Sequence, residues 1–317
     1  MTNARAAIDI GSNSLRLLIA EPSDGPMPWK VQAKELRITR LAQGLGEARR
    51  LHPDAIERTI AVLKGFSDII RRHGLSAATT HAVATAAVRE SANRDEFLSQ
   101  IAQATGLNVR VIDGCREAMM SLAGAVKTLD SQHRQNMLLF DIGGGSTEFV
   151  RANQGNLMDA TSCKLGVVGL SERRLRSDPP SSTNYDSMLE DTMKHLEAVQ
   201  GQWKNANAPD TLVGTAGTVT TLGALHLGMK HYDAEHINNL NISMNEFLSL
   251  KQRLLSMPHH ERAALPLVGT GRADLIVAGI AIVEAVMRQW QYKELVTVDA
   301  GLLEGVWLDS VSRAPTL

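Results

Sequence analysis

Two short polar turns in this chain carry the residue types that bind phosphate and metal ions. The first is Asp9-Ile10-Gly11-Ser12-Asn13-Ser14, and the second is Asp141-Ile142-Gly143-Gly144-Gly145-Ser146-Thr147. Small residues let backbone N–H groups approach an anion closely, and hydroxyl and amide side chains add further donors. An acidic residue before such a loop can bind a divalent cation, directly or through water. The residues therefore predict phosphate chemistry with a metal ion.

The three consecutive glycines of the second turn are the stronger of the two signals. A Gly-Ser-Asn turn is common in ordinary hairpins, and a hairpin turn needs one or two glycines at most. Three glycines cost backbone entropy, and a backbone that folds round a ligand would explain them. A third segment, Gly214-Thr215-Ala216-Gly217-Thr218, lies where a predicted strand meets a helix, and helix N-termini bind anions. Packing of that helix on its sheet is the alternative explanation for these small residues.

The elements around the two turns repeat along the chain. Runs of strand character, Ala6–Ile10 and Met137–Asp141, lead into the turns, and a second strand follows each turn. The two acidic residues stand 132 residues apart in matching positions, which predicts duplicated domains. We predict an α/β protein with mixed sheets flanked by helices, divided into domains at 1–127 and 128–317. A last helix near 302–310 could pack on the first domain.

The composition is that of an ordinary globular chain of 317 residues. Hydrophobic residues make up 44% and charged residues 21%, and the formal net charge is −1, so a basic surface for nucleic acid is not expected. A polyanionic substrate must therefore be held by local clusters of donors. Cys115 and Cys163 lack the spacing of a metal site or a disulfide framework, and no signal peptide or membrane-spanning run is visible. We predict a cytoplasmic protein without nucleic-acid or membrane partners.

Five further segments follow one another in the order of a specific pattern. They are Ala84-Thr85-Ala86-Ala87-Val88-Arg89, Ile112-Asp113-Gly114-x-x-Glu117-Ala118, Leu165-Gly166-Val167-Val168-x-Leu170-Ser171-Glu172, Arg272-Ala273-Asp274 and Val298-Asp299-x-Gly301-Leu302-x-Glu304-Gly305. With the two turns, this set resembles the exopolyphosphatase and guanosine pentaphosphate phosphohydrolase family (Ppx/GppA), over about residues 5 to 307. The resemblance implies two duplicated actin-like, ribonuclease H-like domains with an active-site cleft between them.

The resemblance also implies a role for each matching residue. Glu117 corresponds to a catalytic glutamate that orients or deprotonates the attacking water, and Arg89 corresponds to an arginine that binds phosphate. Asp141 and Glu148 match acidic positions associated with Mg²⁺, and Asp9 is a further candidate ligand. The predicted phosphate-binding residues are Ser12, Asn13, Ser14, Arg16, Gly143, Gly144, Gly145, Ser146, Thr147, Gly214, Thr215, Gly217, Thr218 and Arg272.

Three positions depart from the family pattern. Arg116 stands where an acidic residue often precedes the catalytic glutamate, which makes the neighbourhood of Glu117 more positive. Met119 and Leu303 stand where arginines are usual, so two phosphate contacts are missing. These changes remove no named catalytic group, but they bear on substrate preference and turnover.

The predicted reaction is Mg²⁺-dependent release of orthophosphate from the ends of inorganic polyphosphate, from guanosine pentaphosphate, or from both. A basic channel would favour the polymer and a guanine-binding region the nucleotide, and the sequence does not separate them. An ATP-dependent small-molecule kinase of the same superfamily is a second hypothesis. A non-catalytic regulator that binds an alarmone or a nucleotide is a third. A homodimer is the candidate assembly.

Overall fold

The computed structural model describes residues 3–46, 49–203 and 208–312. Its strands are β1 (Arg5–Ile10), β2 (Ser14–Pro22), β3 (Trp29–Ile38), β4 (Thr80–Ala84), β5 (Val109–Val111), β6 (Asn136–Ile142), β7 (Thr147–Asn153), β8 (Asn156–Cys163), β9 (Thr211–Thr215), β10 (Leu240–Ser243) and β11 (Glu294–Thr297). Its helices are α1 (Pro53–Arg72), α2 (Ala86–Arg89), α3 (Arg94–Thr105), α4 (Gly114–Ala125), α5 (Val167–Arg174), α6 (Ser182–Gln202), α7 (Ala216–His226), α8 (Ala234–Ile237), α9 (Met244–Ser256), α10 (His259–Ala264), α11 (Ile276–Gln289) and α12 (Leu302–Ser312).

The chain divides into two compact units. The first comprises Met1–Lys127 and Ala300–Leu317, and the second comprises Thr128–Asp299. Helix α12 therefore belongs to the first unit, where it packs on α4 and β1. The second unit ends earlier than the domain limit of 317 predicted from the sequence. We propose that the two units are the duplicated domains, with the C-terminal helix returned to the first.

The sheets of the two units share one topology. Among the described residues, the first sheet has the order β3-β2-β1-β4-β5, and the second has the order β10-β11-β9-β6-β7-β8. In each sheet the first three strands form an antiparallel meander, β1-β2-β3 in the first sheet and β6-β7-β8 in the second. Two later strands, β4-β5 and β9-β11, run parallel to the first strand of the meander and extend the sheet on the side away from the other two meander strands. Strand β10 adds an antiparallel edge to the second sheet. The predicted α/β class, with duplicated domains and mixed sheets flanked by helices, is confirmed.

The first strand of each meander has a carboxylate at its carboxyl end, and the carboxyl ends of the parallel strands together form the carboxyl edge of the sheet. Strands β1 and β6 are buried at nearly every position because both faces are covered, so their sequences are almost continuously apolar. Asp9 and Asp141 are the penultimate residues of these strands and are themselves buried. Each acid therefore lies at the carboxyl end of a central strand, beside the turn that follows it. Ligands of α/β sheets bind outside these strand ends.

The start of a short helix in the second unit depends on a distant residue. Helix α10 begins at the pair His259-His260. The backbone N–H of His259 donates to both carboxylate oxygens of Asp178 at 2.7 and 2.8 Å. A partner 81 residues away thus fixes the start of this helix, which local sequence cannot indicate. Within the described residues, no helix is both long and apolar enough to cross a membrane.

A buried carboxylate, Glu284, joins three helices of the second unit. It lies on α11, and its two oxygens accept from Lys251 Nζ of α9 at 3.1 and 3.0 Å. The hydroxyl of Tyr185 on α6 also donates to it, and Arg288 pairs with it from the next turn of α11. Burial and hydrogen bonding to this carboxylate raise the pKa of Tyr185, so the hydroxyl stays protonated as a donor.

Glu284→Gln should lower the free energy of unfolding by about 2–4 kcal/mol, because both cations lose a fully buried counter-charge. Lys251 and Arg288 are partly exposed, so water recovers some of that cost. Urea unfolding followed by circular dichroism measures the change. Glu190→Gln on the exposed face of α6 is the matched control, with an expected change within about 0.5 kcal/mol. Equal midpoints for wild type and Glu284→Gln would mean that the network adds no stability.

Candidate active site

The turn between β1 and β2 forms the first predicted phosphate loop. Gly11 N donates to Ser14 O at 3.0 Å, and a Cβ on Gly11 would meet that oxygen at 2.9 Å, so only glycine fits without a shift. Asn13 O accepts from the N–H groups of residues 39 and 40, which anchors the turn. Asp9 Oδ1 and Asn13 Oδ1 are buried without a hydrogen-bond partner among the described residues. Buried acceptors normally have a hydrogen-bond donor, so these two atoms mark a place where a bound water or ligand would supply the missing partner.

Arg16 neutralises Asp9 across the first hairpin. The two residues stand opposite each other in the β1–β2 register. Arg16 donates from Nε and Nη2 to Asp9 Oδ2 at 3.0 and 2.7 Å. The arginine predicted to contact phosphate thus binds the acid predicted to contact metal. One oxygen of Asp9 is occupied by this ion pair, so a metal role for Asp9 depends on Oδ1. Ser12 beside them is buried, and its carbonyl accepts from Ala42 N at 2.8 Å.

The second hairpin has an acid where the first has an arginine. Asp141 stands opposite Glu148 in the β6–β7 register, the same 132-residue offset from the pair in the first hairpin. Side chains opposite each other on adjacent strands lie about 5 Å apart at Cβ, and like charges there repel. Glu148 Oε1 accepts from Ser146 Oγ and Ser162 Oγ, each at 2.7 Å. The pair fits a hard cation such as Mg²⁺, which binds one or two carboxylates together with water and phosphate oxygens.

A cysteine stands next to one of the two serines that donate to Glu148. Cys163 follows Ser162 on β8, and burial together with the Glu148 charge raises the pKa of its thiol to about 11. The thiol therefore stays protonated at neutral pH and is a poor metal ligand. Across residues 3–46, 49–203 and 208–312, no group of three or more histidines, cysteines and acids is placed to hold an ion. A cation here would thus depend on two carboxylates, water and substrate oxygens.

Glu148→Gln should remove the rise in Tm that Mg²⁺ gives the wild type. The amide oxygen can still accept from both serines, but it carries no charge for the cation, so binding no longer stabilises the folded state. Without metal the variant should be at least as stable as wild type, because its repulsion with Asp141 is gone. Differential scanning calorimetry in EDTA and at saturating MgCl₂ measures both effects. Glu197→Gln, an exposed change on α6, should keep the full Mg²⁺ response; the same response in Glu148→Gln would exclude this carboxylate as a ligand.

The glycine run Gly143–Gly145 has packing partners of its own. Gly143 N donates to Ser146 O at 2.9 Å, repeating the geometry of the first turn. A Cβ on Gly166 would lie 2.3 to 2.5 Å from backbone atoms of Gly144 and Gly145, so two backbone segments touch here. The first N–H groups of α5 donate to carbonyls of the run at 3.2 and 3.0 Å. Close backbone packing is therefore one reason for glycines at these positions, in addition to any role in binding a ligand. Thr147 is buried and donates its hydroxyl to Leu165 O at 2.5 Å.

The small residues where β9 meets α7 have two kinds of neighbour, which are core side chains for some positions and the guanidinium of Arg272 for another. A Cβ on Gly214 would lie 2.9 Å from the ring of Phe140, and Thr218 packs against Gly279 of α11. These contacts support the packing explanation for both positions. Gly217 differs, since a Cβ there would lie 3.2 Å from the guanidinium of Arg272. The arginine predicted to bind phosphate therefore lies over the start of α7, beyond Thr215 at the end of β9.

Glu117 and Arg89 meet at the carboxyl edge of the first sheet. Arg89 ends helix α2, which follows β4, and Glu117 lies in the first turn of α4, which follows β5. Asp113 caps α4 by accepting from Arg116 N at 2.8 Å. Arg89 Nη1 donates to Glu117 Oε2 and to Ile112 O, both at 2.9 Å. The glutamate side chain is 8% exposed, so an ionised group is held in a fixed orientation with little bulk water. Such a group can orient a water and accept its proton.

The three departures from the motif pattern have distinct places in the first unit. Arg116 Nη2 pairs with Asp309 Oδ1 of α12 at 2.5 Å. Met119 is 42% exposed on α4, and Leu303 is buried in α12. The positive charge that Arg116 adds is thus neutralised by Asp309. At position 303, a buried leucine replaces the usual arginine.

Comparisons with known proteins give matches along nearly the whole chain. A model of the Ppx/GppA phosphatase family matches residues 18–314. Exopolyphosphatase 2 of Mycobacterium tuberculosis is 35% identical over 96% of this chain and 97% of that protein. A guanosine-5'-triphosphate,3'-diphosphate pyrophosphatase of Vibrio campbellii is 28% identical over 97% of this chain and 59% of that protein. The crystal structure of an Aquifex aeolicus Ppx/GppA family member superposes with a TM-score of 0.81 at 31% identity, covering 98% of each chain.

Proposed function

The chain belongs to the Ppx/GppA phosphatase family, and we propose that it hydrolyses terminal phosphoanhydride bonds of inorganic polyphosphate and releases orthophosphate. The observation that carries the proposal is the buried ion pair of Glu117 with Arg89 at the start of α4. A relative that is 35% identical along the whole chain is named an exopolyphosphatase. Guanosine pentaphosphate is the second candidate substrate, favoured by a relative named for a guanosine phosphate.

Glu117 is the proposed positioning group for the attacking water. Arg89 Nη1 donates to its Oε2 and orients the carboxylate, and we assign the attacking water to this carboxylate. Phosphoryl transfer needs an oriented nucleophile and charge stabilisation more than a strong base. A second guanidinium N–H of Arg89 is assigned to a phosphate oxygen, since an arginine can serve two acceptors at once. The water oxygen bonds to the terminal phosphorus while the bridging P–O bond breaks, and the shortened substrate leaves with the bridging oxygen. Glu117 accepts a proton of the attacking water, and the terminal group is released as orthophosphate.

The second unit is proposed to bind phosphate and Mg²⁺. Asp141 and Glu148 would hold the ion, which when bound neutralises phosphate charge. The N–H groups of Gly144 and Gly145 are assigned to substrate oxygens, whereas the Ser146 hydroxyl donates to Glu148 and holds that carboxylate. Arg272 over the start of α7 adds a fixed positive charge at the same sheet edge. The phosphate roles of Ser12, Asn13, Ser14 and Thr215 remain proposals of the same kind.

Phosphate release tests the proposed reaction. The purified chain is incubated with long-chain polyphosphate, tripolyphosphate or guanosine pentaphosphate, each with Mg²⁺ and with EDTA, and orthophosphate is measured. The expected result is Mg²⁺-dependent orthophosphate without an initial population of mid-length chains, because bonds are cut at chain ends. A folded protein that releases none from any substrate would overturn the proposal and favour a binding regulator. ATP-dependent phosphate transfer to a small molecule would favour the kinase hypothesis.

Compartment and assembly follow as lesser proposals. Both cysteines are free thiols, which suits the reducing cytoplasm. A homodimer stays a prediction, and sedimentation equilibrium of the purified chain tests it directly.

A further inference from the structure

An exposed tyrosine of the second unit is anchored by its hydroxyl. Tyr232 lies in the segment after α7, and 44% of its surface is exposed. Its hydroxyl donates to Asp299 Oδ1. Burial of the hydroxyl and the charge of Asp299 raise the pKa of Tyr232, so it stays protonated as a donor. One end of the side chain is thus fixed, while the residue keeps an open surface.

The anchor and a neighbouring cation are both fixed at the carboxyl edge of the sheet. Asp299 follows β11, and its N–H donates to Asn238 Oδ1 at 2.8 Å, so the residue that holds the tyrosine is itself held. Arg272 donates to Thr221 Oγ1 of α7 at 3.2 Å, and its guanidinium lies over Gly217 at the start of that helix. Tyr232 is held by the residue that follows β11, and α7 follows the neighbouring strand β9. A ring and a positive charge on adjacent connections at one sheet edge can contact both a base and a phosphate.

The spacing along this edge suits a nucleotide. The strand order β11-β9-β6 places Asp299 two strand positions from Asp141. Adjacent strands lie about 4.8 Å apart, which separates the two strands by roughly 10 Å. A ribose with a pyrophosphate spans a comparable length. A phosphate bound at the glycine run 143–145 would thus leave a base within reach of Tyr232.

We propose that Tyr232 stacks on the base of a nucleoside polyphosphate whose phosphates occupy the glycine run of the second unit. The inference rests on the proposed phosphohydrolase function and names a substrate class for it. Aromatic rings stack on any base, whereas inorganic polyphosphate has no apolar face for an exposed ring to contact. Tyr232 therefore sets the preference for nucleotide over inorganic substrate.

Steady-state kinetics of Tyr232→Ala with guanosine pentaphosphate and with tripolyphosphate test the assignment. The KM for the pentaphosphate should rise about tenfold, the effect of losing one stacked base. The KM for tripolyphosphate and both kcat values should change less than about twofold, since the phosphates and the attacking water keep their contacts. Tyr232→Phe keeps the ring and should show a smaller rise. Tyr292→Ala is the matched control, because its hydroxyl donates to Pro209 O at the opposite edge of the same strands.

Two results would overturn the stacking role. An unchanged KM for the pentaphosphate in Tyr232→Ala would do so, and equal losses with both substrates would assign the tyrosine a structural role. Failure of the proposed function is separable, because it means that the wild type releases no phosphate from any substrate. In that case, isothermal titration calorimetry measures the Kd for guanosine 5′-[β,γ-imido]triphosphate and for imidodiphosphate, which tests the stacking role without turnover. The inference requires Tyr232→Ala to weaken the first about tenfold and leave the second unchanged, and it fails if the wild type binds no nucleotide.

Discussion

Glu117→Gln should lower kcat for orthophosphate release by about 10²–10⁴-fold, the usual contribution of a positioned acid–base group. The glutamine has the same shape and can still accept from Arg89 Nη1, so the fold and substrate binding should persist. It cannot take a proton from water, and it removes the negative charge that Glu117 places 2.9 Å from Arg89 Nη1. Initial rates of orthophosphate release at saturating substrate and Mg²⁺ give kcat. Substrate binding by calorimetry shows that the loss is in turnover.

Glu90→Gln is the matched control for this experiment. Glu90 Oε1 lies 3.9 Å from Arg89 Nε, so it is a neighbouring acid on the same arginine. Its replacement should keep kcat within about threefold of wild type, because a half-exposed ion pair at that distance contributes little. A variant Glu117→Gln that retains a tenth or more of the wild-type kcat would assign the water to another group. Equal losses in both variants would assign the effect to Arg89.

The duplication could be predicted because it is encoded in short local patterns. Each strand–turn–strand unit lies within about 20 residues, and the offset of 132 residues aligned Asp9 with Asp141. The structure repeats it in the strand order of both sheets, and the predicted family is confirmed by the match over residues 18–314. The same offset also aligns Arg16 with Glu148. This alignment indicates an acid paired with an arginine in the first hairpin and two acids in the second.

The remaining features of the site depend on contacts between distant residues. Tyr232 and Asp299 are 67 residues apart, and neither lies in a pattern that indicates the other. Ser162 supports Glu148 from a neighbouring strand, which requires the register of β7 and β8. The glycine run was interpreted as a ligand loop, whereas its contact with Gly166 shows a packing cause too. Local sequence indicates which residues are present at the sheet edges, and tertiary packing decides which of them meet.

Gly305→Ala should lower both stability and activity, because it separates the helices that position Glu117. A Cβ on Gly305 would lie 1.9 Å from Met120 O, where α12 crosses α4. A Cβ on Gly124 would lie 2.1 Å from Gly301 O on the other side of the same contact. The atoms in the way are backbone, so no side-chain rotation relieves the clash and one helix must move. Met120 lies one turn from Glu117, and a shift of α4 therefore moves the carboxylate relative to Arg89.

The expected loss is about 2–3 kcal/mol, the cost of overpacking a tight contact, which corresponds to a fall in Tm of about 5 °C. A displacement near 1 Å at a positioned catalytic group lowers kcat by about 10²-fold. Calorimetry and phosphate-release kinetics on one preparation measure both. The kinetic loss should exceed what the unfolded fraction explains, since the assay temperature lies below the transition.

Gly65→Ala separates this cause from the general effect of adding a methyl group to a helix. Gly65 lies inside α1 of the same unit, and nothing is within 4 Å of a Cβ built there. The substitution should raise stability by up to about 1 kcal/mol, because alanine loses less backbone entropy in a helix. If Gly65→Ala raises the stability and Gly305→Ala lowers it, the loss at Gly305 comes from the crossing of α4 and α12. If Gly305→Ala has wild-type Tm and kcat, the two helices adapt to the methyl group, and the position of Glu117 does not depend on their close approach.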